Sequence, residues 1–127
     1  MNLKGCIPTD KHDAAAVARA REIGVPALGP ILPELLEWTQ DCNWPVAREV
    51  SDLLSGAGPE IIPHLRQILA SNDGCWKFSV LCDLVPFLDR DVLSALQTDL
   101  RRLAKDPTDD DRREEVDLLA KETLAKF

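Results

Sequence analysis

Apolar residues recur along the chain in three matching runs: Ile31, Leu32, Leu35 and Trp38; Val46, Ala47, Val50, Leu53 and Leu54; Ile61, Ile62, Leu65, Ile68 and Leu69. Each follows i, i+1, i+4, i+7, and the second and third add i+8, which is the spacing of one helical face and of no strand. The first and third runs also open alike, Gly29-Pro30-Ile31-Leu32-Pro33 and Gly58-Pro59-Glu60-Ile61-Ile62-Pro63. Each leads to a turn rich in Asp and Asn, followed by a tryptophan, Trp44 in one case and Trp76 in the other. Units of this kind bury their faces only by stacking on their neighbours. The pattern predicts an all-α chain, a short HEAT-like α-solenoid of about seven helices stacked as antiparallel hairpins.

Breakers divide this single domain, 1–127, into an N-terminal arm at 1–8, a capping helix within 9–28, and helical-hairpin units at 29–57, 58–88 and 89–127. Thr9 or Asp10 is the expected cap of the first helix and Gly24 its end, with Ala15, Ala16, Val17 and Ala18 as a thin apolar face. The next three helices are expected from Pro30 to Gln40, from the Asn43-Trp44-Pro45 turn to Ser55, and from the Gly58-Pro59 pair to Ala70. Trp38 is placed inward. A fifth, from Cys75 to Leu88, is apolar on nearly every side, the mark of a central helix, and Pro86 should kink or end it. Asp89 starts a sixth with Val92, Leu93, Leu96, Leu100 and Leu103 inward; Thr108 caps a seventh that offers Val116, Leu119, Ala120 and Leu124.

Composition narrows the class without changing the fold. The chain is 45% apolar and 29% charged, within the globular range. Its net charge of −7 disfavours nucleic acid, because phosphate contacts need clustered Lys and Arg. The opening residues lack the apolar stretch of a signal peptide and no segment has the length of a membrane span, so a cytoplasmic protein with no membrane partner is expected. In that compartment Cys6, Cys42, Cys75 and Cys82 are expected as free thiols, mostly buried, with Cys6 the exception near a mobile end. Cys75 and Cys82 share a helical face but stand too far apart for a bridge. Much of the acidity falls between Asp106 and Asp117, where seven acids face only Arg112 and Arg113. This segment reads either as a patch for a basic partner or as a capped helix whose first acids meet the helix dipole while the other charges face water.

No pattern of catalytic or metal-ligating residues emerges. His12 and His64 lack paired motifs, and Cys42 with His64 has no local signature for nucleophilic catalysis. Paired cysteine or histidine spacings, a phosphate loop, a nucleophile elbow and a calcium loop are all missing from the sequence. The expectation is a non-enzyme with no catalytic residue, metal or cofactor. The best candidate site is the pair of equivalent turns, with Asp41, Asn43, Trp44, Asp73, Trp76 and Lys77 as the residues for a protein partner. Corresponding turns of a hairpin stack lie along one edge, where the two tryptophans either stand as a binding ridge or plug the gap between units.

The stretch Ile31-Leu32-Pro33-Glu34-Leu35-Leu36-Glu37-Trp38 and the following Asp41-Cys42-Asn43-Trp44-Pro45-Val46-Ala47 resemble an uncharacterised bacterial family of small HEAT-like helical-repeat proteins, a domain of unknown function. Ile7-Pro8-Thr9-Asp10-Lys11-His12-Asp13, Ile61-Ile62-Pro63-His64 and Trp76-Lys77 fit the same pattern. The resemblance covers nearly the whole chain, supports the fold and implies no reaction. The function expected is a non-enzymatic protein-binding module, in its specific form an immunity or antidote-like protein that neutralises a basic partner. It is expected as a monomer or weak homo-oligomer. A general HEAT-like scaffold or adaptor, and a small-molecule-binding or enzymatic HEAT-like protein, are the alternatives.

Overall fold

A computed structural model of the chain describes residues 2–127. It is all-helical, with nine α-helices and no strand among the described residues. The helices are α1 (Ala14–Ile23), α2 (Leu32–Glu37), α3 (Pro45–Leu54), α4 (Ile62–Leu69), α5 (Gly74–Asp83), α6 (Arg90–Ala95), α7 (Gln97–Lys105), α8 (Asp109–Arg113) and α9 (Val116–Leu124). The two Gly-Pro openings fold alike. Each becomes a 3-10 turn, Val25–Ile31 before α2 and Pro59–Ile61 before α4, and each hands over to an α-helix with proline, Pro33 or Pro63, in its first turn. Proline fits there because the first turn has no internal acceptor for its missing N–H.

The expected seven helices become nine because the last two each divide. Leu96, near φ −93° and ψ 1°, separates α6 from α7. Glu115 in the left-handed region, at φ 60°, separates α8 from α9. Neither break contains Gly or Pro, so periodicity alone runs through them; Val92, Leu93, Leu96, Leu100 and Leu103 are all buried as expected. Pro86 does end α5, turning Val85–Phe87 into a 3-10 turn. The first helix starts later than expected. Asp13 caps it by accepting the Ala16 N–H at 3.2 Å, while the Thr9 amide and hydroxyl donate to the other oxygen of the same carboxylate.

Contacts between helices follow chain order. Helix α1 lies against α3, α3 against α5 and α5 against α9, while α2, α4 and α7 lie against α3, α5 and α9 respectively. One continuous apolar cluster runs from Cys6 to Ala120 through these contacts. Helix α5, touching α3, α4, α8 and α9, is central as its apolar composition demands. Helix α1 buries only Ala16, Val17 and Ala20; Ala15 and Ala18 face solvent.

The cysteines reverse the expected order. Cys6 is buried, since the 3-10 turn Lys4–Cys6 packs on α1 and its Gly5 carbonyl accepts the Arg19 Nε at 2.7 Å. Residues 4–8 are therefore not a free arm. Cys75 is the exposed thiol, with Cys42 and Cys82 half-buried and all four free. Long-range arginines close the surface between elements: Arg21 of α1 to Asp52 of α3 at 3.1 Å, Arg66 of α4 to Asp99 of α7 at 3.2 Å, and Arg102 of α7 to the Leu69 carbonyl at 2.7 Å.

Candidate functional site

The two repeat turns lie at the start of α3 and of α5, and the next unit fastens each. In the first, the Thr39 hydroxyl donates to the Leu36 carbonyl at 2.6 Å and accepts the indole N–H of Trp76 at 3.0 Å. The Cys42 amide donates to the Ser79 hydroxyl at 2.9 Å, and that hydroxyl donates to the Gln40 carbonyl at 3.4 Å. The Cys75 thiol reaches the same carbonyl at 3.6 Å. One face of α5 thus holds residues 39–42 through neutral hydrogen bonds.

In the second turn, Asp73 caps α5 by accepting the Trp76 amide at 3.0 Å. The Gly74 amide donates to the Asp110 carboxylate of α8 at 2.9 Å. Lys77 and Asp111, at 1% and 0% side-chain exposure, form an ion pair in the interior. Asp111 is also half of a capping box: its backbone amide donates to the Thr108 hydroxyl at 3.0 Å, and its carboxylate accepts the Thr108 amide at 3.0 Å. Burial alone would push the Asp111 carboxyl up; the Lys77 ammonium and the Thr108 amide outweigh it and hold the carboxyl below its ordinary value.

The structure therefore sorts the six candidate residues. Asp41 accepts the Asn43 amide at 2.8 Å and stays half-buried; Asn43 and Asp73 are exposed. Trp44 and Trp76 do not form a pair with each other. Trp44 packs on Trp38, ring centroids 5.6 Å apart and planes tilted 56°; Trp38, expected inward, lies partly buried against the core. Trp76 spends its only side-chain donor on Thr39. Lys77 is a correction: placed on the ridge by its position after Trp76, it points inward to Asp111, where no partner can touch it. Of the two readings of the acidic segment, the capped helix is what forms, with Thr108 as cap and Asp109, Asp110 and Asp111 in the first turn of α8; Asp110 and Asp111 in addition reach α5, which neither reading anticipated. A lone lysine inside an otherwise apolar helix was the available signal, because a buried ammonium requires a counter-charge.

Two further residues join the edge. Burial, followed by the charges of Asp41, Asp73 and Glu114, raises the Cys75 thiol above its ordinary value. Carboxylates from three separate elements, the turns at 41 and 73 and the end of α8, thus converge on one exposed group. Burial and these charges together favour the protonated thiol, which is the opposite of what a cysteine nucleophile needs. Among the described residues, no cluster of three or more His, Cys, Asp or Glu side chains is placed to hold a metal ion. His64 lines a cleft of about 170 Å³ between α2 and α4 that also meets Trp76. No described helix is long and apolar enough to cross a membrane.

No curated protein matches the chain. A family model described as a domain of unknown function, DUF5071, matches residues 6–124, and the chain belongs to that family.

Proposed function

We propose that this chain is a non-enzymatic protein-binding module whose acidic turn edge receives a basic partner, in the manner of an immunity or antidote-like protein. The observation that carries the reading is the convergence of Asp41, Asp73 and Glu114 around Cys75, beside the half-exposed Trp44 and the exposed Asn43. Single-sign charge around an aromatic on a braced backbone suits recognition of a complementary protein surface. The fold underneath is proposed as a short HEAT-like α-solenoid, with α1 as the cap and hairpins α2–α3, α4–α5 and α7–α9 as successive units. Support for it comes from the ordered contacts between those helices and from the matched Gly-Pro openings.

The test is capture of partners from cells of its own source by tagged protein and by the variant Asp41→Asn/Asp73→Asn/Glu114→Gln. These substitutions remove charge while keeping the acceptor for the Asn43 amide and a good helix cap. The proposal expects a basic protein retained at low salt, released at roughly 0.5 M salt where exposed charges are screened, and not retained by the variant. Equal retention by both proteins, or no basic protein on either, would overturn it.

A further inference from the structure

Between Leu103 and Val116 the chain leaves the core and returns to it. Both ends are anchored, since Leu103 and Val116 are buried and α7 packs along α9. Among the described residues of this excursion Asp111 alone is buried, and no leucine, isoleucine, valine or aromatic stands between Lys105 and Val116. Every other helix buries apolar side chains; α8 buries a carboxylate instead. The hydrophobic effect that holds the rest of the molecule together therefore has almost no grip on this segment.

The attachments of α8 to the body are polar and few. The Gly74 amide donates to Asp110 at 2.9 Å, and Lys77 pairs with Asp111 in the interior. Asp111 Oδ1 has the Lys77 ammonium as its one partner among the described residues. The other bonds of α8 close within the segment: the Thr108–Asp111 capping box and the Arg112–Asp109 and Arg113–Asp110 pairs. These travel with it. At its far end Glu115 stands at φ 60°, a left-handed conformation that a residue with a Cβ keeps only where the surrounding chain holds it.

We propose that residues 106–115 form a latch, which opens as a unit between the docked α7 and α9 and closes on α5 through the Lys77–Asp111 pair. Opening differs from substitution. It returns both charges to water together, so the solvation they regain offsets the attraction lost, whereas a single substitution strands one charge. The latch thus opens below the threshold of global unfolding. Its role at the turn edge rests on the reading of that edge proposed above. Glu114, at the end of α8, is one of the carboxylates acting on Cys75, so the edge is complete only with the latch closed. A basic partner seated there holds it closed.

The test reads Lys77, whose side chain is 1% exposed in the closed state, by acylation with an N-hydroxysuccinimide ester and peptide mass spectrometry. Hydrogen exchange at the Ala120 amide in α9 measures global opening alongside it. Lys77 is expected to be the less protected of the two. Val50→Ala, at a buried site on a helix that packs on α1, α2 and α5, should lower Ala120 protection about tenfold and leave the Lys77 rate unchanged. Gly74→Ala, which forces Asp110 off the Gly74 amide, should raise the Lys77 rate about tenfold. An acetylated octa-arginine peptide, its binding followed separately by fluorescence anisotropy, should slow Lys77 acylation in the wild type and not in Glu114→Gln. Equal responses of Lys77 and Ala120 to Val50→Ala, or a Lys77 rate indifferent to Gly74→Ala, would overturn the latch. Peptide bound to the wild type without slowing Lys77 would overturn its tie to the edge and leave the edge reading intact. Absence of peptide binding would overturn the edge reading and the tie together, while the latch is still decided by Val50→Ala.

Discussion

The turn before α3 and the turn before α5 occupy the same place in the repeat, and each is held by residues 34 to 39 positions further along the chain. The chemistry of the two attachments differs. Trp76 and Ser79 hold the first through neutral hydrogen bonds to Thr39, Gln40 and Cys42. Asp110 and Asp111 hold the second through charge, on the Gly74 amide and on the Lys77 ammonium. A neutral bond contributes about 1 kcal/mol and its loss is local. A buried ion pair behaves differently: desolvation cancels much of its attraction, but removing one partner strands the other. The second attachment is therefore the more brittle of the two, though not the larger source of net stability.

That contrast is most sharply tested at Asp111. Asp111→Ala should cost about 3–5 kcal/mol in chemical denaturation, because it leaves the Lys77 ammonium buried alone and opens the α8 capping box. The double variant Lys77→Met/Asp111→Leu should recover most of the loss carried by the charge, leaving a deficit of about 1 kcal/mol from the missing cap. Should the double variant be as unstable as the single one, the brittleness lies in packing rather than in charge.

Gly74→Ala comes next. A Cβ there would stand 2.5 Å from Asp110 Oδ2 and 2.9 Å from Glu114 Cγ, so the carboxylate must withdraw from the Gly74 amide. The expected loss is about 1–3 kcal/mol by thermal or urea unfolding. On the neutral side, Trp76→Phe and Ser79→Ala should each cost about 1 kcal/mol. Losses as large as that of Asp111→Ala would erase the distinction between the two turns.

Acid should reach the charged attachment alone. Folding lowers the Asp111 pKa, so its contribution is present above the ordinary carboxyl value of 3.8, declines below it, and is gone once the pH has fallen through the folded value. Urea unfolding followed downward in pH should show this part of the decline in the wild type and not in Lys77→Met/Asp111→Leu.

The hydrophobic spacing made most of the fold legible. It placed the first five helices and the inward leucines of α6 and α7, because burial follows the 3.6-residue period closely in this chain, while cap chemistry placed Thr108. It missed the breaks at Leu96 and Glu115, where local backbone conformation changes without a breaker residue. It also misplaced Cys6, since a turn near the terminus gives no periodic signal. Within the candidate site, Asp41, Asn43, Trp44 and Asp73 were legible as turn and cap residues. Lys77 was placed on the wrong side although a lone lysine in an apolar helix signals a buried charge; what the sequence withheld was its partner, because an ion pair with Asp111 across 34 positions needs tertiary placement. Cys75 and Glu114 joined the edge for the same reason: they come from elements that meet only in the folded chain.

These turns are braced from behind and carry a shared negative field in front. The pH dependence of iodoacetamide alkylation at Cys75, read by peptide mass spectrometry, measures that field directly at an exposed thiol. In Asp41→Asn/Asp73→Asn/Glu114→Gln the thiol pKa should fall from its raised wild-type value, retaining only the part due to burial, while the melting temperature stays close to that of the wild type. An unchanged Cys75 titration in that variant would contradict this arrangement, because the carboxylates would then not meet at one edge.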